Sequence, residues 1–304
     1  MRALVATGRD APLVELRDDV PEPEPGPAEA LVRVRAVAPN RGELTLLSTR
    51  GEGWRPGQDL AGEVVRAAAD GSGPAAGERV AGLADQGGWA ELAAVPAHRL
   101  APVPNAVDDA TAAVLPMAGT TALGLVRRGG SLLGRRVLVT GASGGVGHLA
   151  AQLAALSGAE VTAVARPERA EALRGHGVAH VIADPGQAEE GQHLVLESAG
   201  GSSLEAAIGR VAPGGLVQVF GNSSREAARL DFRAFAGREA RIESYFSHEH
   251  EADAGAGLRV LLNLVAEGRL HVVIGLDEDW SHAAEALEAL AARRVPGKAV
   301  LRVT

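Results

Sequence analysis

The stretch Gly141-Ala142-Ser143-Gly144-Gly145-Val146-Gly147 limits what this chain can fold into more than any other. It follows an apolar run, Arg136 to Thr140, and leads into a helical run, Gly145 to Ser157. The spacing Ala142-x-Gly144-x-x-Gly147 is the fingerprint of a strand–turn–helix that cradles a dinucleotide. Small residues let the backbone approach a pyrophosphate and let the helix pack close to the strand. The helix N-terminus then offers free N–H groups and a partial positive charge to that anion. A second strand, Glu160 to Ala165, follows, as a βαβ unit requires. Ala142, Ser143, Gly144, Gly145, Val146 and Gly147 are therefore the candidate phosphate-binding residues.

The tip of that second strand decides between two cofactors. A site for NAD usually places an acid there, on the ribose 2′-hydroxyl. This chain reads Val164-Ala165-Arg166-Pro167-Glu168-Arg169, with no acid at the tip and two arginines beside it. Guanidinium matches phosphate bidentately, so Arg166 and Arg169 suit a 2′-phosphate and NADPH is the expected cofactor.

Around this centre, strands and helices alternate from residue 118 to 254. That pattern predicts a doubly wound parallel sheet with helices on both faces, an α/β Rossmann-type domain. The strands are expected at 136–140, 160–165, 178–182, 193–198 and 215–220, with Arg241 to Phe246 as an edge strand. Residues 1–117 read instead as short strands divided by Gly/Pro turns. The run Pro21-Glu22-Pro23-Glu24-Pro25-Gly26-Pro27 is an extended connector, since proline bars both helix and central strand. This region is expected to form a small β barrel. The tail, 255–304, carries two helical stretches and a final strand, Lys298 to Val303, which need a sheet to join, so it is assigned to the first domain.

Composition removes several function classes. A net charge of −8 argues against a broad nucleic-acid face. There is no cysteine, which excludes disulfides, thiolate nucleophiles and thiolate-bound zinc. It fits a cytoplasmic location. The nine histidines show no metal-ligand spacing, and His248 and His250 read as surface loop. No run of about 18 uninterrupted apolar residues exists, and the apolar run at the N-terminus is too short for a signal peptide, so neither a membrane span nor a leader is expected. The only tyrosine, Tyr245, is followed four residues later by Glu249, so the Tyr-x-x-x-Lys pair of short-chain dehydrogenases is missing.

Several further motifs, taken together, are more specific than the glycine loop. They are Val37-Ala38-Pro39-Asn40-Arg41-Gly42-Glu43, Pro56-Gly57-Gln58-Asp59-Leu60-Ala61-Gly62-Glu63-Val64-Val65, Gly88-Trp89-Ala90-Glu91, Gly119-Thr120-Thr121-Ala122, Glu197-Ser198-Ala199-Gly200-Gly201 and Pro296-Gly297-Lys298-Ala299-Val300-Leu301. Through these the chain resembles the medium-chain dehydrogenase/reductases, in the zinc-free quinone oxidoreductase branch. The resemblance implies a GroES-like β-barrel catalytic domain beside the Rossmann domain, and a homodimer in which an edge strand around Tyr245 and Phe246 pairs across the interface. It also implies hydride transfer from NADPH to a small-molecule quinone or α,β-unsaturated carbonyl. Zinc members carry Cys and a His-Glu pair as ligands; here Asn40 lies in the Cys region and Gln58-Asp59 replace His-Glu. Glu43 occupies a position where the branch has Asp. Ile182-Ala183-Asp184-Pro185 stands where many members have a cofactor-contacting tyrosine.

By the same resemblance Asn40 and Trp54 face the substrate and Thr121 the nicotinamide ribose. Each has a plainer reading, as a turn asparagine, a rim residue over the core, and a helix threonine. Gly200, Phe220 and Gly221 are placed at the cofactor by the carboxyl-edge rule for open α/β sheets and by motif. The substrate pocket is expected between the domains, lined by Asn40, Trp54 and Phe220. A non-catalytic, redox-sensing NADPH-binding protein of the same fold is the alternative, and a zinc alcohol dehydrogenase a third reading that the ligand positions oppose.

Overall fold

The computed structural model describes residues 1–9, 11–247 and 254–304; His248 and His250 lie outside the described residues. In chain order the elements begin with β1 (Ala3–Ala6), β2 (Val14–Arg17), β3 (Glu29–Val37), α1 (Arg41–Arg50), β4 (Asp59–Arg66), β5 (Arg79–Leu83), β6 (Leu92–Pro96), β7 (Leu100–Pro102) and α2 (Asp109–Val114). Then come α3 (Thr120–Arg128), β8 (Arg136–Val139), α4 (Gly147–Leu156), β9 (Glu160–Val164), α5 (Ala170–Gly175), β10 (His180–Ile182), β11 (Gln192–Glu197), α6 (Gly201–Ile208), β12 (Val211–Val219), α7 (Phe232–Phe235) and β13 (Arg241–Ser244). The last are α8 (Ala254–Ala266), β14 (Ile274–Asp279), α9 (Ala283–Ala291) and β15 (Lys298–Arg302). Two units result: unit 1 comprises Met1–Thr120 and Glu249–Thr304, and unit 2 comprises Thr121–His248.

Unit 1 is built on a seven-stranded sheet of order β14-β15-β3-β4-β5-β7, with β6 also paired to β3. The long strand β3 organises it. Val32, Val34, Ala36 and Val37 are buried while Arg33 and Arg35 are exposed, the alternation of a half-buried strand. The inner faces meet in a core of valine, leucine and alanine around Trp89 and Trp280. With few aromatics in the chain, small residues let backbones come close: a Cβ at Gly62 would lie 2.0 Å from the Arg33 carbonyl on β3.

Two elements here depart from the sequence expectation. The sequence predicts no helix before residue 108, yet Arg41–Arg50 is helical. Asn40 precedes it in extended conformation and Glu43, three residues on, accepts the Asn40 backbone N–H at 2.8 Å, the reciprocal half of a capping box. β14 is also unexpected, since Gly275 and three acids disfavour a strand; parallel pairing with β15 overrides that. Gly88 and Trp89 stay outside β6, which starts at Leu92. Gly88 and Trp89 instead donate to the carbonyls of Gly57 and Pro56, at 3.0 and 3.2 Å.

Asp108 caps α2, accepting from the Thr111 N–H at 2.7 Å. Pro116 then interrupts the ladder, and Leu115–Gly119 widens into a π-turn. The whole run 109–128 is long and apolar enough to cross a membrane by composition, but 72% of its most apolar window is buried inside the protein, as a core helix is.

Unit 2 is a six-stranded, all-parallel sheet of order β10-β9-β8-β11-β12-β13. Strands after β8 run outward to one side and strands from β11 to the other. The order therefore reverses between β8 and β11, and in doubly wound sheets ligands bind at such a switch point, outside the carboxyl ends of the strands. The edge strand expected at 241–246 is present but ends at Ser244. Tyr245 follows it, buried, with its ring hydroxyl against Gly124, and Phe246 is exposed. Phe220 lies just past the end of β12.

Candidate functional site

In unit 2 the loop between β8 and α4 is shaped by close approach. Gly141 has φ 60°, and a Cβ at Gly147 would lie 2.2 Å from the Gly141 carbonyl, so only glycine lets α4 start there. Ala142 donates its N–H to Val164 at the end of β9, and Gly144 to Gly141. His148, buried in the first turn of α4, holds the Gly144 carbonyl through Nδ1 at 2.8 Å. The backbone N–H groups of Gly145, Val146 and Gly147 meet no acceptor among the described residues, and no side chain caps α4. A ten-residue helix without a side-chain cap, and with three donors that meet no acceptor among the described residues, has the chemistry an anion would need at its start.

The neighbouring strand end holds this loop in place. Glu197, fully buried at the end of β11, accepts from Thr140 Oγ1 at 3.0 Å, Ala199 N at 3.1 Å, Gly200 N at 2.9 Å and Ser203 Oγ at 2.9 Å. Thr140 Oγ1 accepts in turn from Ser198 N at 2.9 Å. The ends of β8 and β11 are thus stitched together. Gly200 starts α6, its φ 75° leaving no room for a Cβ beside Asn222, and Gly221 backs onto the Ser198 carbonyl. The carboxyl edge therefore brings together Ala142 to Gly147, Gly200, Phe220 and Gly221. Arg166 and Arg169 emerge at the same edge after β9, both exposed and without a side-chain partner among the described residues. Thr121 is buried on α3.

In unit 1 the elements meet in a buried polar cluster. Asn40, Glu43, Asp59 and Lys298 come from the start of α1, the start of β4 and the start of β15. Lys298 Nζ donates to Ala38 O (3.0 Å), Pro39 O (3.1 Å), Asn40 Oδ1 (2.6 Å) and Asp59 Oδ2 (3.2 Å). Asp59 Oδ2 also accepts from Asn40 Nδ2 at 3.0 Å. Asp59 Oδ1 takes the Met117 N–H at 2.8 Å, a donor inside the π-turn that Pro116 creates. Glu43 accepts the backbone N–H groups of Asn40 and Gln58. Burial pushes the Glu43 carboxyl up to about 7, helped by the Asp59 charge, and burial raises Asp59 against the pull of Lys298. Two carboxylates thus share one ammonium, and the surplus charge is relieved by a proton retained near neutrality.

Of the two residues expected at the substrate, Asn40 spends its amide inside this cluster. Trp54 packs on the unit 1 core and donates its indole N–H to Gln86 Oε1 at 2.8 Å. Lys298 and Asp59 appear in the sequence only as members of motifs. Their pairing has no local signal, because 239 residues separate them.

Comparison with known proteins finds two matching stretches, the second running from unit 2 into the tail of unit 1. Residues 142–301 match the family described as zinc-binding dehydrogenase, and residues 26–105 the alcohol dehydrogenase GroES-like domain. The chain is 35% identical over 293 residues to the spectinabilin polyketide synthase system protein NorB of Streptomyces orinoci, covering 90% of this chain but spanning only 13% of that protein. It is 29% identical to a quinone oxidoreductase of Pseudomonas aeruginosa, with 95% of each chain covered. An alcohol dehydrogenase superfamily protein from Novosphingobium aromaticivorans superposes with TM-score 0.89 at 28% identity, covering all of both chains.

The family description raises the question of zinc, and the cluster does not fit that ion. Zinc takes thiolate, imidazole or free carboxylate donors. The cluster offers the amides of Asn40 and Gln58 and two carboxylates already occupied by protein donors, with an ammonium 3.2 Å from Asp59. Among the described residues no group of three or more His, Cys, Asp or Glu could hold a metal.

Proposed function

The chain belongs to the zinc-binding dehydrogenase family, in the quinone oxidoreductase-like branch of the medium-chain dehydrogenase/reductases, and from that premise we propose that it is an NADPH-dependent, metal-independent reductase of quinones or α,β-unsaturated carbonyls. The observation that carries this reading is the start of α4, with three N–H groups that meet no acceptor among the described residues, at the same sheet edge as Arg166 and Arg169, which have no side-chain partner among those residues. Gly145, Val146 and Gly147 hold a pyrophosphate, and the two guanidiniums hold a 2′-phosphate. Thr121, Gly200, Phe220 and Gly221 line the remainder of the cofactor, and Asn40 and Trp54 belong to the substrate side. When bound, NADPH supplies the hydride. The substrates in question are electrophilic already, so positioning supplies much of the acceleration, and water delivers the proton to the product. No step calls on a metal.

The protein is further proposed to act as a homodimer through the open edge at β13, a point for light scattering. The direct test of function is NADPH oxidation with menadione and with cyclohexenone. Turnover with either supports the reading, and binding of NADPH without turnover of either overturns it. That second outcome matches a redox-sensing protein without catalysis, a reading favoured by the internal engagement of the Asn40 amide.

A further inference from the structure

One polar side chain beside the unit 1 cluster is left unused. Asn40, Glu43, Asp59 and Lys298 are all bonded to protein groups, yet the side-chain amide of Gln58, next in sequence to Asp59, bonds to no described residue. Gln58 is only 6% exposed. Neither of its amide atoms is sealed inside the protein, in contrast to both amide atoms of Gln218. The residue is buried overall, while its polar tip is not sealed.

Its backbone, by contrast, is fixed on both sides. The Gln58 N–H donates to Glu43 Oε1 at 3.0 Å, and its carbonyl accepts from Ala84 N at 2.8 Å. Gly57 before it lies so close to Trp89 that a Cβ there would be 2.2 Å from the Trp89 nitrogen. Asp59 after it is bonded through both oxygens. A buried amide normally finds partners inside the protein, because leaving it unsatisfied is costly. Here the chain fixes the backbone on either side of the amide and leaves the amide itself without a partner among the described residues.

We propose that the Gln58 side-chain Nε2–H donates a hydrogen bond to the carbonyl oxygen of the substrate. The proposal rests on the reductase reading above. In an enone, hydride forms a C–H bond at the β-carbon, the C=C pair shifts to form the enolate, and charge collects on the carbonyl oxygen. Solvent water then supplies the proton. A neutral donor held in place before the reaction binds that oxygen more strongly as charge develops. Lys298 cannot serve, because four protein oxygens already surround its three protons.

The test is Gln58→Met, close in shape and without a donor. With menadione or cyclohexenone, kcat/KM is expected to fall about tenfold to a hundredfold. The NADPH Kd and the urea midpoint should stay near wild type, because no internal bond is lost. Menadione binding without cofactor, followed by tryptophan quenching, should weaken in parallel. A second variant, Gln58→Glu, regains a donor only when protonated, so its activity should rise as pH falls while wild type does not follow that course. Wild-type turnover with Gln58→Met within twofold of it overturns this inference alone, as does a Gln58→Glu profile parallel to wild type. Wild type inactive toward both acceptors overturns the reductase reading and this inference with it.

Discussion

Lys298→Met removes the one cation from the buried cluster while keeping much of the side-chain volume. The ammonium donates to four oxygens, one of them on Asp59, which is itself fully buried. Without it, Asp59 and Glu43 face each other uncompensated. Breaking a buried pair from one side costs about 3–5 kcal/mol, or roughly 6–20 °C in melting temperature for a body of this size. The loss should depend on pH in a definite direction. Both acids titrate above their ordinary range in the fold, Glu43 at about 7. Between the ordinary carboxylate range and that value, the folded protein holds more protons than the unfolded chain, so stability falls as pH rises through the window. Removing the ammonium raises both acids further and extends the window upward. The deficit of the variant should therefore be near its full size at about pH 8 and clearly smaller at about pH 5, where the acids accept protons. Urea titrations followed by tryptophan fluorescence measure this directly, because Trp54, Trp89 and Trp280 all lie in unit 1. A deficit under about 1 kcal/mol, or one equal at both pH values, would refute the argument that the ammonium neutralises the two acids.

Three further outcomes are expected. Arg166→Ala should weaken NADPH binding on the order of tenfold and leave NADH nearly unchanged, from the loss of one charge-assisted hydrogen bond; calorimetry with both cofactors decides, and equal wild-type affinities would make Arg166 a simple surface charge. Trp54→Ala should raise the KM for menadione well above any change in the KM for NADPH, and constancy of both would place the substrate elsewhere. Purified protein should contain no stoichiometric zinc by elemental analysis and keep its activity in chelator, so zinc at one per chain with loss of turnover on its removal would sink the metal-independent reading.

The parts of the molecule legible in the sequence are those whose cause is local. The glycine loop could be read because its spacing has a steric meaning within seven residues: Gly147 meets Gly141 in the folded chain at a distance that only glycine tolerates. The parallel sheet followed from the alternation of apolar runs. α1 was within reach too, since Asn40 and Glu43 stand at capping-box spacing, but a polar ten-residue helix with little apolar face hides among turns. β14 was not legible, because its acids and glycine argue against a strand until β15 lies beside it. The cluster around Lys298 was hidden for the same reason on a larger scale. Asn40 could be picked out from the motif that contains it, but that its amide would be taken up by a lysine 258 residues away depends on the completed fold.

That separation also bears on how the protein comes into being. Synthesis runs from the N-terminal side, so β3, β4 and the acids Glu43 and Asp59 emerge before unit 2, and β15 and Lys298 after it. Between them comes unit 2, whose six strands pair only with one another among the described residues. The middle of the polypeptide can therefore mature on the ribosome while the first domain waits, its sheet open where β3 will pair with β15 and its two carboxylates without their counter-ion. Closing so long a loop is slow, and an unfinished sheet edge is prone to association. The tail thus acts as a completion step. A nascent chain halted before residue 298 has β3 paired to β4 and β6 but not to β15, and leaves Asp59 without its ammonium partner.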